Sequence, residues 1–199
     1  GKNEGFSEDY DLPNAAAYTE TCASIGLVLF AHRMLQFNCD GKYADILERT
    51  LYNGLISGVS LNGIAFFYQN PLESRNNIRR RDWFDCPCCP PNLIRTLASM
   101  GSFIYSAGEN NIAVHLYVGG TAACEVDGQT VNLSVETNYP WDGKVSVTVN
   151  PQNKANFGLK LRIPQWCPEF FVKVNGQIME LPKPELGYIR IEREWQSGD

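Results

Sequence analysis

"TCASIGLVLFAHRMLQF" (residues 21–37) and "KYADILERTLYNGLISGVS" (residues 42–60) decide the fold of the first half of this chain. Both lack proline and space their apolar residues at helical intervals. In the first, Ile25, Leu29 and Phe37 recur along the run, and Phe30 and Met34 stand four apart. In the second, Tyr43, Ile46, Leu47, Leu51 and Leu55 do the same. Cys39-Asp40-Gly41 between them is a short turn, so the pair predicts an αα-hairpin.

Downstream, "LNGIAFFYQNPL" (61–72) predicts a β-hairpin arm turning at Asn62-Gly63. "PPNLIRTLASMGSFIYSA" (90–107) predicts a third helix with Pro91 in its first turn, where proline is tolerated. From Asn110 the period drops to two. "NIAVHLYV", "QTVNLSVET", "GKVSVTVN", "NFGLKLRI", "EFFVKVNG" and "GYIRIERE" alternate, separated by Gly119-Gly120, Asp127-Gly128, Asp142-Gly143 and Asn175-Gly176. That pattern predicts an antiparallel β-sandwich or its first sheets. The fold class is therefore mixed, α then β, and the expected division is residues 1–108 and 109–199.

The 199 residues are 44% hydrophobic and 20% charged, with a net charge of −5, which is ordinary globular composition. Mild acidity without a basic stripe argues against a nucleic-acid partner. Arg79-Arg80-Arg81 is the only basic run and reads as a solvated loop or a tether to carboxylates. No run of 18 apolar residues is present, so no membrane helix is expected. The chain opens "GKNEGF" and closes "EREWQSGD", which reads as a piece of a longer protein. A cytoplasmic location is the expectation, with no targeting pattern to read.

Sulfur is concentrated at "FDCPCCPPN" (84–92), where Cys86, Cys88 and Cys89 share four positions. The total of seven cysteines is odd, and adjacent Cys88 and Cys89 are poorly placed to pair, because a disulfide wants Cα atoms about 4.4–6.8 Å apart. Metal binding or catalysis explains the cluster better. Upstream, "ETC" offers Glu20 and Cys22. Within a helix these two diverge by roughly 200°, whereas in extended chain they share a face. To grip one ion the segment must enter extended, with the helix starting near Thr21, a residue type that suits an N-cap. The ligand set is then Glu20, Cys22, Cys88 and Cys89 around Zn²⁺, with Cys86 spare. Prolines on both sides stiffen the loop that presents the two neighbouring sulfurs. Composition alone leaves a structural and a catalytic metal equally open, and three unconnected buried thiols remain the plain alternative.

"EGFSEDYDLPNAAAYTETC" followed by "CCPPN" resembles the retaining β-L-arabinofuranosidases of glycoside hydrolase family 127. The likeness is strongest at residues 4–26, 64–72 and 83–97, and "DLPN", "ETC" and "CCPPN" in this order are specific together. The resemblance implies an (α/α)6 helical barrel followed by a β-sandwich. Residues 1–108 would be the C-terminal part of the barrel's catalytic domain, and 109–199 an incomplete sandwich. It implies zinc on Glu20, Cys22, Cys88 and Cys89. Cys88 matches the nucleophile, Glu4 the acid/base, and Tyr68 a substrate-binding tyrosine near the nucleophile. Zinc would ionise the thiol, while three thiolates and a carboxylate outweigh its charge and keep the sulfur reactive. Cys88 would form a thioglycoside. Glu4 would protonate the leaving oxygen and then deprotonate water.

The expected partner is a carbohydrate, and the expected assembly, if one forms, is a homodimer. This piece alone is expected to be inactive. Two other functions stand beside the glycosidase: a structural zinc site in a helical interaction domain, and a carbohydrate-binding β-sandwich without catalysis. Glu8, Asp9 and Asp11 rival Glu4 without the family spacing, and Trp83 and Phe84 suit either a sugar platform or a loop anchor. His32 and His115 read as packed or solvated rather than ligating.

Overall fold

The structure is a computed structural model and describes residues 4–5, 7–11, 13–74, 78–180 and 182–199. These residues fall into two compact units, one of 1–33 and 46–100, the other of 34–45 and 101–199. No helix among the described residues is long and apolar enough to cross a membrane.

In the first unit, helix α1 begins at Thr21 and runs to Asn38, its last turn lying in the second unit. Its buried stripe is Ile25, Val28, Ala31 and Leu35. Leu29, Phe30 and Phe37 are instead exposed, because the 3.6-residue period carries them off that stripe. Helix α2 (Gly41–Thr50) continues into a π-helical turn at Leu51–Leu55 and a 3₁₀ turn at Ile56–Gly58, burying Leu47, Leu51 and Leu55. These turns end where Gly58 meets the helix starts that matter. A Cβ there would lie 2.7 Å from Leu93 Cδ1 and 2.9 Å from Thr21 Cγ2, so only glycine fits between them.

The expected hairpin at 61–72 is reduced to a turn. Ser60 N bonds Ala65 O and Gly63 N bonds Ser60 O, but the pairing stops at single bridges, Val59 with Phe66 and Phe66 with Arg81. The chain leaves the turn to lie beside residues 19–21 instead. The third helix, α3 (Cys89–Ala98), is shorter than its apolar pattern suggests. It stops at Ser99, and a four-residue helix, α4 (Gly101–Ile104), leads straight into a strand.

In the second unit, β1 (Tyr105–Gly108), β2 (Asn111–Val114), β6 (Ala155–Arg162) and β9 (Tyr188–Trp195) form one sheet in the order β1-β2-β6-β9. Tyr105 pairs with Val114, so strand pairing takes residues that carry a helical pattern. β3 (Gly120–Val126), β4 (Gln129–Thr137) and β5 (Val145–Pro151) form an antiparallel meander. β7 (Lys173–Val174) and β8 (Gln177–Ile178) are a small hairpin, to which "EFFVKVNG" contributes β7 and the turn. Asp127-Gly128 and Asn175-Gly176 have φ values of 48° and 72°, and 50° and 82°, the signs a tight hairpin turn demands at both residues.

Among the described residues all strand pairs are antiparallel except β2 with β6, whose connection passes through the whole meander, as a parallel pair requires. The two larger sheets share one core: Ile112, Val114, Phe157, Leu159 and Trp195 join Val126, Val131, Leu133 and Val149. Trp195 Nε1 donates to Phe157 O at 2.9 Å. Beside this core lies a buried polar cluster. His115 bonds Tyr188 at 2.7 Å and Ser106 at 2.9 Å, and Arg162 Nε donates to His115 O at 2.6 Å while its Nη1 pairs with Asp45 at 2.6 Å.

Candidate metal centre

Glu20 sits one residue before α1, in an antiparallel bridge with Gln69. Around it Thr21 N donates to Tyr68 O (2.9 Å) and Asn70 N to Thr19 O (2.8 Å). The segment is thus extended at Glu20 and helical from Thr21, the geometry that lets Glu20 and Cys22 face one point. Thr21 does not cap. Its hydroxyl donates to Phe67 O at 2.9 Å, while Glu20 O receives the first helical amides, from Ala23 and Ser24. The same register lays Tyr68 alongside Glu20.

Cys88 and Cys89 open α3, with Cys88 at its N-cap and Pro90 and Pro91 in the first turn. The missing proline N–H groups belong to amides that have no helical partner anyway. The first helical bond runs from Asn92 N to Cys88 O. Cys22 lies in the first turn of α1, so two helix N-termini bring their partial positive charge to the sulfurs. Burial works the other way, pushing the Cys22 and Cys89 thiols up.

One oxygen of Glu20 and the sulfurs of Cys22, Cys88 and Cys89 all lie within 4.8 Å of one another. Cys88 Sγ and Cys89 Sγ are 3.7 Å apart, and they are 3.5 Å and 3.6 Å from Glu20 Oε1. A tetrahedral zinc about 2.3 Å from sulfur and about 2.0 Å from oxygen needs edges of about 3.8 Å and about 3.5 Å. The four residues therefore fit zinc in donor type and number, and Glu20, Cys88 and Cys89 fit it in spacing. Cys86 is exposed and stands outside the group.

Beyond the donors, the Tyr68 hydroxyl lies beside Cys88 and Tyr18, and Tyr18 donates to Glu4 Oε1 at 3.0 Å. Burial first, then the bond to Glu4, pushes Tyr18 up to about 12. Glu4 thus joins the same contact network as Cys88. Of its rivals, Asp11 accepts from Ser7 at 2.9 Å. Leu12 of "DLPN" lies outside the described residues. Two members of the network carry no signal in the sequence. Tyr18 is one; the other is Asn92, whose side chain stands beside Cys22 while its Oδ1 accepts from Arg95 Nε at 2.7 Å. A cavity of about 410 Å³ opens beside Tyr68, lined also by Arg81, Trp83, Phe84, Asp85 and Cys86. Phe84 meets Tyr68 edge-on with ring centroids 5.6 Å apart, and Trp83 is exposed. Arg80, in the basic run, donates to Ser57 O and covers the Phe67 ring.

The class defined by this geometry is a helical unit carrying a Glu–Cys₃ donor group, joined to an antiparallel-rich β unit. Residues 1–102 match the family model of the β-L-arabinofuranosidase GH127 catalytic domain, and residues 111–199 that of the GH127 middle domain. The chain belongs to the GH127 β-L-arabinofuranosidase family. It is 39% identical over 203 residues to a non-reducing end β-L-arabinofuranosidase of Bifidobacterium longum subsp. longum, covering 92% of this chain and 29% of that protein. A GH127 β-L-arabinofuranosidase from Geobacillus stearothermophilus T6 superposes with a TM-score of 0.92 at 49% identity, over 97% of this chain and 32% of that one. A second solved GH127 β-arabinofuranosidase gives 0.90 at 41% identity, over 97% and 33%. This chain spans about a third of the length of these relatives.

Proposed function

We propose that this chain is part of a retaining glycoside hydrolase that releases β-L-arabinofuranose from non-reducing ends. Family membership supports the sugar, and the tight donor group tied to Glu4 supports the chemistry. Residues 1–108 would be the later part of an (α/α)6 barrel and 109–199 an incomplete β-sandwich, a division the two family matches favour.

Glu20, Cys22, Cys88 and Cys89 are the residues that would hold zinc, which would keep their thiols ionised at neutral pH and fix their positions. Cys88 supplies the attacking sulfur. A bond forms from Sγ to the anomeric carbon as the glycosidic C–O bond breaks, and Glu4 gives its proton to the leaving oxygen. Glu4 then takes a proton from water, whose oxygen displaces the sulfur, so that two inversions retain configuration. Tyr68 stands beside the sulfur, and the Trp83 ring lining the cavity suits a sugar ring.

The observation that carries this reading is the set of donor separations around Glu20 Oε1. It is tested by Cys88→Ser in the full-length protein. The expected variant melts close to wild type and loses turnover by about 10⁴-fold or more. Turnover within tenfold of wild type would remove Cys88 as nucleophile, and unfolding would favour a purely structural site.

A further inference from the structure

The reaction sketched above uses Glu4 and Cys88 but gives no work to Tyr18, which stands against Glu4. Tyr18 Oη donates to Glu4 Oε1 at 3.0 Å. The Tyr68 hydroxyl lies beside both Tyr18 and Cys88. A phenol has one proton to give. Tyr18 directs that proton to Glu4.

Tyr18 is itself well held. It precedes a pinned stretch in which Thr19 Oγ1 donates to Asn70 O at 2.5 Å and Thr21 N to Tyr68 O at 2.9 Å. Glu4, by contrast, is exposed, and an exposed glutamate loses rotamer freedom when it is fixed. A carboxylic acid also has two oxygens and one proton. An oxygen that accepts a hydrogen bond from Tyr18 is the carbonyl-like one, so the acid proton sits on the other, Oε2.

We propose that Tyr18 is a positioning residue for the acid/base. By occupying Oε1 it fixes the Glu4 rotamer and leaves Oε2 to carry the proton toward the leaving oxygen. The inference rests on the reading of Glu4 given under Proposed function.

The test uses full-length enzyme and two substrates: an aryl β-L-arabinofuranoside with a nitrophenol leaving group, which departs without acid assistance, and one whose leaving group is a sugar hydroxyl, which does not. kcat/KM reports the first chemical step for each. Glu4→Gln should lower the sugar-leaving value by about 10²–10⁴-fold and the nitrophenyl value far less. Tyr18→Phe, which removes only the hydroxyl, should show the same pattern with a smaller loss, about 10-fold or more on the sugar substrate and under about 3-fold on the aryl one. Partial unfolding scales both rates equally, so the ratio between substrates reads positioning alone. An unchanged ratio in Tyr18→Phe beside a changed ratio in Glu4→Gln overturns this role and leaves the acid/base reading standing. An unchanged ratio in Glu4→Gln overturns that reading, and this inference with it.

Discussion

Asn92 shows how much of the centre is set by single side chains. Its Oδ1 accepts from Arg95 Nε, and its side chain stands beside Cys22. A donor on a ligating sulfur orients it and tempers its charge. Asn92→Ala is expected to weaken metal binding by about 10–100-fold, read by chelator competition on the full-length protein, with melting of the metal-free form little changed. An unaltered affinity would make Asn92 only a helix brace. The donors were legible because Glu20, Cys22, Cys88 and Cys89 lie in compact motifs. Tyr18 and Asn92 were not, since a tyrosine after three alanines or an asparagine after two prolines says nothing of partners 14 or 70 residues away.

At the scale of elements, Gly58 determines whether the starts of α1 and α3 can share a centre. Gly58→Ala forces a methyl against Leu93 and Thr21, at an expected cost of about 1–3 kcal/mol. Thermal melting and metal content should fall together; a variant that melts like wild type with full metal would show that the contact yields freely. In the β unit, burial, and then the neighbouring Cys39, raise the Tyr188 hydroxyl well above its ordinary value, although Arg162 opposes this. The unfolded chain therefore loses that proton first. Stability from Tyr188 is complete below about pH 10 and declines as pH rises beyond it. Melting followed from about pH 9 to pH 11 should slope down less in Tyr188→Phe than in wild type, and equal slopes would contradict this. Most strands were readable from period-two alternation, because one face of each is buried. β3 was not, since Ala122 and Ala123 give weak alternation, and the third helix was overextended because Tyr105 satisfies both a helical spacing and its pairing with Val114.

For the whole molecule, sequence pattern separated the helical part from the β part. It did not show that residues 34–45 belong with the β unit, because that membership comes from contacts such as Arg162 with Asp45 and Gly41 N with Leu186 O. The chain spans about a third of its relatives, yet all four donors lie within it. Residues 1–199 alone are therefore expected to take up one zinc while turning over aryl arabinofuranoside far more slowly than the full-length enzyme. Comparable turnover by the piece would show that the pocket needs nothing beyond it. The most direct test of the centre is metal analysis with X-ray absorption on the purified protein. One zinc per chain with about three sulfur neighbours at roughly 2.3 Å and one oxygen at about 2.0 Å is the expected result. No bound metal, or a shell of nitrogen and oxygen alone, would contradict it.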